Sequence, residues 1–281
     1  MSTDCLIDGN SLFARSWYAA QKMGPDPTQT LKLAAISMLS ILNPLTSPIG
    51  TTFSRTLFCW DAPAGESKHR EPRPPEYYEM RLIAKDLFAL LLGAENVEID
   101  PFEGDDLVAS AVYTSDPQHD VVVVSGDKDL MQLADGKRVV YYSLNEKCAL
   151  SVPFICNKFH IKHPSQIALA LAIQGDAVDC IPGVRGWGKE KVRKLFKTVS
   201  KDMTFNEVIG ILENYMNAEQ RKQFYASLKR TIPETSLPVP PPAPILFPDD
   251  ADVAALDMPD VAKRLRELKF AYEQNNFSDY P

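Results

Sequence analysis

Nine carboxylates carry the chemistry open to this chain. Asp8, Asp61, Glu103, Asp105, Asp106, Asp127, Asp129, Asp176 and Asp179 fall in five short stretches, LIDGNSLFAR, LFCWDAP, FEGDDLVAS, VVSGDKDLMQL and IQGDAVDCIPGVRGWG. Acids gathered in one place cannot all stay ionised without a counter-charge, because each raises the pKa of its neighbours. Oxygen ligands with no His or Cys among them select hard cations, so Mg²⁺ or Mn²⁺ is the expected filling. Two such ions about 4 Å apart are the standard arrangement for in-line attack of water on a phosphodiester. A lone Asp after a strand is usually a helix cap or a turn residue; the joint occurrence of the set is what points to ions.

Composition sharpens this reading. The 281 residues are 45% hydrophobic and 24% charged, an ordinary globular balance with room for one large α/β domain or a core plus an appended module. A net charge of −7 is the wrong sign for a generic nucleic-acid binder, yet setting the nine acids aside leaves 28 of the 37 acids against 30 bases. The excess negative charge is therefore local, as a cation site requires. Five scattered cysteines without a CxxC pair suit a reducing cytosol and give no zinc site. No apolar run approaches the length of a membrane span, and MSTDCLIDGN lacks the pattern of a secretory signal, so the expected location is cytoplasmic. His119, His160 and His163 have no acidic or nucleophilic partner at a telling spacing, which disfavours a histidine mechanism; Ser125 reads as a turn residue.

The elements that must position the acids alternate β and α. Cys5–Ile7, Thr56–Trp60, Asn96–Ile99, Val121–Val124, Val139–Ser143 and Ala149–Val152 read as strands, the Val run as a central one buried on both sides. Asp8, Asp61 and Asp127 each stand at or just past the carboxyl end of such a strand, the edge where open parallel sheets bind ligands. Helices are expected from Asn10 (with Asn or Ser as N-cap), over Leu31–Leu42, from Pro75 to Leu92 and from Glu103 to Thr114, with a loop between them at 62–75. Glu103, Asp105 and Asp106 then occupy the first turn of a helix that starts at the same edge, where its dipole favours carboxylates. After Pro153 the β-branched runs stop and helices are expected at 164–174, 188–198, 204–215 and 217–230. Thr231–Asp250, with PVPPPAP at its centre, reads as an extended connector, and Val261–Glu273 as a terminal helix.

Asp176 and Asp179, three apart, are spaced for a shared target. The glycines of Gly183-Val184-Arg185-Gly186-Trp187-Gly188 let backbone N–H groups approach a phosphate. Arg185, Lys189, Lys191, Arg193, Lys194, Lys197 and Lys201 stand against Glu190 alone, a net +6 over residues 183–201. This is a footprint for a nucleic-acid backbone, with no reading of sequence implied; the competing reading is a solvated helix face.

The ordered set of motifs, above all SGDKDLMQL and GDxxDxIPGVxGxG, resembles the 5′ nuclease family, which includes the 5′→3′ exonuclease domain of bacterial DNA polymerase I and phage flap endonucleases. The resemblance covers roughly residues 4–230. It implies a mainly parallel sheet covered by helices, with a PIN-like nuclease core at 1–152, a helical region at 153–230 holding a helix-three-turn-helix that grips duplex DNA, and a Pro-rich connector with terminal helix at 231–281. By position it assigns eight of the acids to two metal ions, with Asp106 beside them and counted in the metal set, and K⁺ to the helix-three-turn-helix. Arg15 matches an arginine directed toward DNA, with a surface salt bridge as the competing reading. Gly183, Arg185, Gly186, Gly188, Lys189, Lys191, Arg193 and Lys194 match the DNA-gripping element.

Three departures stand out. Cys180 replaces the usual Asn, Lys189-Glu190-Lys191 replaces acid-Lys-Thr, and SKHREPRPP at 67–75 matches Tyr-Lys-x-x-Arg-Pro-Pro imperfectly. Arg70 and Arg73 are the expected scissile-phosphate contacts, with Lys68 as the alternative. Tyr77 and Tyr78 read equally as base-stacking residues or as helix packing. The expected activity is Mg²⁺-dependent hydrolysis of DNA at 5′ ends and 5′ flaps by a monomer, with RNA of RNA–DNA hybrids as a further substrate. The rival expectations are a PIN-type ribonuclease and a catalytically silent, structure-selective DNA-binding protein.

Overall fold

The computed structural model describes residues 3–24, 26–43, 53–63 and 73–274. The first strand, β1 (Thr3–Asp8), runs into α1 (Gly9–Gln21) and α2 (Pro27–Leu42). Then come β2 (Arg55–Cys59), α3 (Pro75–Leu92), β3 (Glu95–Val97), α4 (Gly104–Thr114) and β4 (Asp120–Ser125). A 3₁₀ turn at Asp129–Leu133 leads to β5 (Val139–Ser143) and β6 (Cys148–Leu150). The helical half holds α5 (Val152–Phe159), α6 (Ile167–Gln174), α7 (Lys189–Leu195), α8 (Phe205–Glu213) and α9 (Ala218–Thr231). It is followed by a short strand β7 (Ala243–Pro244), α10 (Asp250–Ala255) and α11 (Pro259–Gln274).

The sheet order is β3-β2-β1-β4-β5-β6. Pairing is parallel from β3 through β5, and antiparallel only for β6 on β5 and β7 on β2. Chain order runs outward in both directions from the β1–β4 pair. That pair is the topological switch point, where a crevice opens at the carboxyl ends of the strands.

Side-chain alternation assigns each strand residue to one of two cores. Cys5, Ile7, Phe58, Trp60, Val122 and Val124 pack under α1, α2, α3 and α11. Leu6, Leu57, Cys59, Val121, Val123 and Tyr141 pack under α4 and the helices of the second half. The Val run of β4 is buried on both faces, as its unbroken hydrophobicity requires. The helical half shares one apolar cluster with the sheet, so acids carried on its loops are held against the strand ends.

The sequence reading of α1 is corrected at its start. Asp8 itself is the N-cap, its Oδ1 accepting from Ser11 N at 2.8 Å, and the helix begins at Gly9. α5 was not foreseen as an element, nor was β7, where the Pro-rich segment becomes an edge strand on β2. Proline is tolerated there because an edge strand has a side that needs no donor.

Candidate metal centre

Because β2, β1 and β4 are adjacent, the acids at their ends converge. Asp8 ends β1, Asp61 lies two residues past β2, and Asp127 two residues past β4. All three line one groove of about 820 Å³ together with Glu103, Asp105 and Asp179.

Main-chain and hydroxyl donors orient each carboxylate. Asp8 is buried, and its Oδ2 accepts from Ser125 Oγ at 2.6 Å. Asp61 Oδ1 accepts from Gly104 N at 2.7 Å, which ties the end of β2 to the start of α4. Asp127 Oδ1 accepts from Asp129 N at 2.9 Å, and the Tyr141 hydroxyl holds the Ser125 and Asp127 carbonyls at 2.8 and 2.6 Å. A carboxylate oxygen with one hydrogen bond keeps a second lone pair for a cation.

Electrostatics bear the stamp of crowding. Burial, followed by Asp61 and Asp127, pushes Asp8 up to about 7. Burial and then Asp106, Asp127, Glu103 and Asp61 drive Asp105 well above the carboxylate range. Burial, then Asp127, pushes Asp129 up to about 8. Burial and mutual repulsion thus act on these acids together.

Asp129, Asp176 and Asp179 form a second group, with one carboxylate oxygen from each lying within 4.8 Å of the others. Asp129 Oδ1 is buried and has no hydrogen-bond partner among the described residues. An orphaned buried carboxylate oxygen, beside others of its kind, is a donor set suited to a hard divalent ion. The Lys128 ammonium stands among them, paired with Asp176 and lying 3.4 Å from Asp179 Oδ2. Burial pulls the Lys128 pKa down, but the surrounding aspartates outweigh it and the net shift is upward.

Asp106 does not line the larger groove but a smaller adjoining pocket, with Glu103, Asp105 and Asp129. Its Oδ1 accepts from Glu234 N at 2.7 Å and its Oδ2 from Glu103 N at 3.4 Å, so it closes the first turn of α4 and anchors the segment after α9.

The basic residues divide. Lys68 and Arg70 lie outside the described residues. Arg73 lines the groove, bonded to the Tyr77 hydroxyl, with its guanidinium carbon 4.3 Å from the Tyr77 ring centroid and 6.0 Å from that of Tyr18. Tyr77 is fully buried against Phe13 and Trp17, which leaves it to helix packing, whereas Tyr78 lines the groove. Arg15 also lines it and donates to Asn145 Oδ1 at 3.3 Å, not to an acid. Tyr18, Lys22 and Lys158 share the groove and were missed in the sequence. The signal for Tyr18 and Lys22 was present, since both follow Arg15 at helical spacing along α1.

The glycine turn is likewise mixed. Gly183, at φ +70°, crosses Gly175 so closely that a Cβ would sit 2.5 Å from Gly175 N, and its N–H goes to Ser227 Oγ. Gly186 and Gly188 face open space. Arg185, Lys189, Arg193 and Lys194 are exposed. Lys191 instead lies over Trp187, 4.7 Å from the ring centroid. His119, thought partnerless, sits beside Asp4 and Arg55, residues far off in sequence but near the amino ends of β1 and β2. That places it at the sheet edge opposite the acids.

Sheet order and carboxylate placement define an α/β domain with an acidic crevice at its switch point, suited to hard cations. Residues 3–160 match the family described as 5′–3′ exonuclease, N-terminal resolvase-like domain, and the chain belongs to that family. It is 28% identical over 198 residues to the thermostable DNA polymerase I of Thermus aquaticus, covering 68% of this chain and 23% of that one. To DNA polymerase I of Bacillus subtilis it is 27% identical over 229 residues, covering 77% and 25%. The chain thus spans about a quarter of the length of these relatives. Among solved structures, the fold is similar to that of phage T5 5′-exonuclease with bound divalent metal ions (TM-score 0.57, 16% identity, 96% of this chain and 98% of that one). It is also similar to the fold of human GEN1 in complex with Holliday junction DNA (TM-score 0.57, 14% identity, 97% and 73%). Among the described residues no helix is long and apolar enough to cross a membrane.

Proposed function

We propose that the protein is a divalent-metal-dependent 5′ nuclease. It hydrolyses DNA phosphodiesters at 5′ ends and 5′ flaps and leaves 3′-hydroxyl and 5′-phosphate products. The observation that carries this reading is the convergence of the strand-end acids Asp8, Asp61 and Asp127 with Glu103 and Asp105 in one groove, beside the Asp129–Asp176–Asp179 group. Family membership supports it, as does the likeness to a phage T5 flap endonuclease whose structure is described as a complex with DNA and metal ions.

Two ions, Mg²⁺ or Mn²⁺, fit the two groups of acids. When bound they supply Lewis acidity, activating water and neutralising charge on the phosphoryl oxygens. The chain's own residues do the rest. The carboxylates fix where the ions stand, because backbone N–H groups and Ser125 hold them in place. Arg73 clamps the phosphate from the groove wall, and Arg15, Lys22 and Lys158 draw the strand in; Arg70 shares the clamping role, with Lys68 as the alternative to it.

Residues 1–152 form the nuclease core in this reading. Residues 153–230 grip the downstream duplex through Gly186, Gly188 and the exposed bases of α7, and 231–281 serve as connector and terminal helix. RNA of RNA–DNA hybrids is a further substrate, K⁺ a further ion at the glycine turn, and the protein works as a monomer.

The test is Asp127→Ala on labelled 5′-flap and blunt duplexes. The variant should bind both in Ca²⁺ and cleave neither in Mg²⁺, and EDTA should stop the unaltered protein. Full activity of Asp127→Ala would defeat the reading.

A further inference from the structure

The turn that carries Asp179 is held from behind by one face of a helix. Gln223, Ser227 and Arg230 of α9 are spaced i, i+4 and i+7, and so project on the same side. Each is bonded to the main chain of residues 179–185. Gln223 Oε1 accepts from Arg185 N at 2.9 Å, and Ser227 Oγ from Gly183 N at 3.2 Å. Arg230 donates Nη1 to the Cys180 carbonyl at 2.9 Å and Nη2 to the Asp179 carbonyl at 3.0 Å.

This segment joins the two working parts of the site. At one end the Asp179 carboxylate meets Asp129 and Asp176; at the other lies the open glycine turn with its basic helix. The turn between Asp176 and Ile181 is closed by a reciprocal pair of backbone hydrogen bonds of 2.8 and 2.7 Å. It also contains Cys180 at φ +51°, a left-handed conformation that a non-glycine side chain resists. Such a residue keeps its conformation only where its surroundings over-determine it, and the Arg230 fork on the two adjacent carbonyls does that.

Arg230 differs in kind from Lys128, the other cation at this turn. Lys128 pairs with the carboxylates themselves and so competes with any ion that needs their oxygens. Arg230 bonds only to main-chain carbonyls behind the acids, leaving the ligand oxygens open while its charge offsets theirs. It can therefore serve with the ion bound or absent.

We propose that Arg230 is a positioning residue for the second acidic group: its bidentate hold on the Asp179 and Cys180 carbonyls sets where the Asp179 carboxylate stands. Gln223 and Ser227 on the same face of α9 hold the glycine turn instead, through Arg185 N and Gly183 N rather than the Asp179 carbonyl. The inference rests on the metal-dependent reading above.

The experiment is Mn²⁺ titration of the full chain without DNA, by calorimetry and electron paramagnetic resonance. It compares the unaltered protein with Arg230→Met, Arg230→Lys and Gln223→Ala. The unaltered protein should bind two ions. Arg230→Met should weaken one of the two by about 10- to 100-fold, the usual effect of removing a residue that orients a ligand. The other ion should bind as it does in the unaltered protein, even where the thermal midpoint of the metal-free protein falls with the loss of the two hydrogen bonds. Its cleavage rate on a 5′ flap should fall at limiting Mn²⁺ and recover at high Mn²⁺ with KM for DNA unaltered, and Arg230→Lys should restore part of the lost affinity. Gln223→Ala should bind both ions normally. Arg230→Met binding both ions as the unaltered protein does would overturn the proposal, as would an equal loss at both sites that tracks a fall in thermal midpoint and is not relieved by Arg230→Lys. Failure of the unaltered protein to bind Mn²⁺ at all would instead overturn the nuclease reading.

Discussion

Ser125 Oγ lies 2.6 Å from Asp8 Oδ2, joining the ends of two neighbouring strands, and the same oxygen accepts from Asp127 N at 2.9 Å. One buried hydroxyl thereby fixes one acid and the backbone of another across the switch point. A hydrogen bond to a charged group contributes about 1.5–3 kcal/mol. Ser125→Ala should therefore lose about 10- to 100-fold in metal-supported cleavage with little change in DNA affinity, as single-turnover kinetics and Ca²⁺-supported binding would measure.

Asp8 and Asp129, pushed up to about 7 and about 8 chiefly by burial, hold protons in the folded metal-free protein that unfolded carboxylates, with a model value of 3.8, would release. A raised folded pKa contributes stability that is complete below the unfolded value and is lost as pH rises through the folded one. The thermal midpoint of the metal-free protein should therefore fall as pH rises from the unfolded value of 3.8 to about 7 and about 8, and level off above. Mg²⁺ should flatten that slope, because a cation takes the proton's place. Mn²⁺ binding near neutral pH should release protons, visible as a dependence of calorimetric heat on the buffer's ionisation enthalpy.

Much of this arrangement was legible in the sequence because it follows local rules. An apolar run ending in Asp gave β1, β2 and β4, and the acidic start of α4 gave the rest of the crevice. What was not legible depends on pairings between distant segments. The helix at 75–92 was found to the residue, yet of its apolar positions Leu82, Ile83 and Leu90 are exposed, while Tyr77, Met80 and Phe88 are buried. Which stripe faces inward depends on the packing of α1 and α2, which helical periodicity does not specify. His119 finds Asp4 across a separation of 115 residues, and Arg230 finds Cys180 across 50. No spacing rule reaches such partners. The strangeness of Cys180 was visible only as a departure from the family's Asn. Its physical reason is the left-handed backbone there, which Asn adopts more readily than Cys.

Lys128 is the counter-charge of the second acidic group in the metal-free protein. Lys128→Met removes it and leaves three carboxylates facing one another. The variant should be less stable than the unaltered protein in EDTA at pH 8, and that deficit should shrink when Mn²⁺ is added. Its affinity for Mn²⁺ should rise, since no ammonium has to leave the carboxylates before the ion arrives. Thermal denaturation with and without metal, together with a Mn²⁺ titration, checks both halves.

Asp105 and Asp106 are adjacent, yet they should fail in opposite ways. Asp105 lines the groove and is driven well above the carboxylate range by burial and by four neighbouring acids. Asp105→Asn removes a charge that the metal-free fold must suppress, so it should leave that fold as stable as before or more so while abolishing cleavage. Asp106 instead accepts from Glu234 N and Glu103 N. Ser110 Oγ extends the same attachment by donating to the Glu234 carbonyl at 3.1 Å and accepting from Leu237 N at 3.2 Å. Asp106→Ala leaves two main-chain donors without their acceptor and should cost about 1–3 kcal/mol of stability, with Mn²⁺ stoichiometry intact and cleavage within about tenfold of the unaltered protein. Parallel denaturant melts and metal titrations on the two variants separate the roles. Loss of an ion in Asp106→Ala at unchanged stability would return Asp106 to the set of ligands.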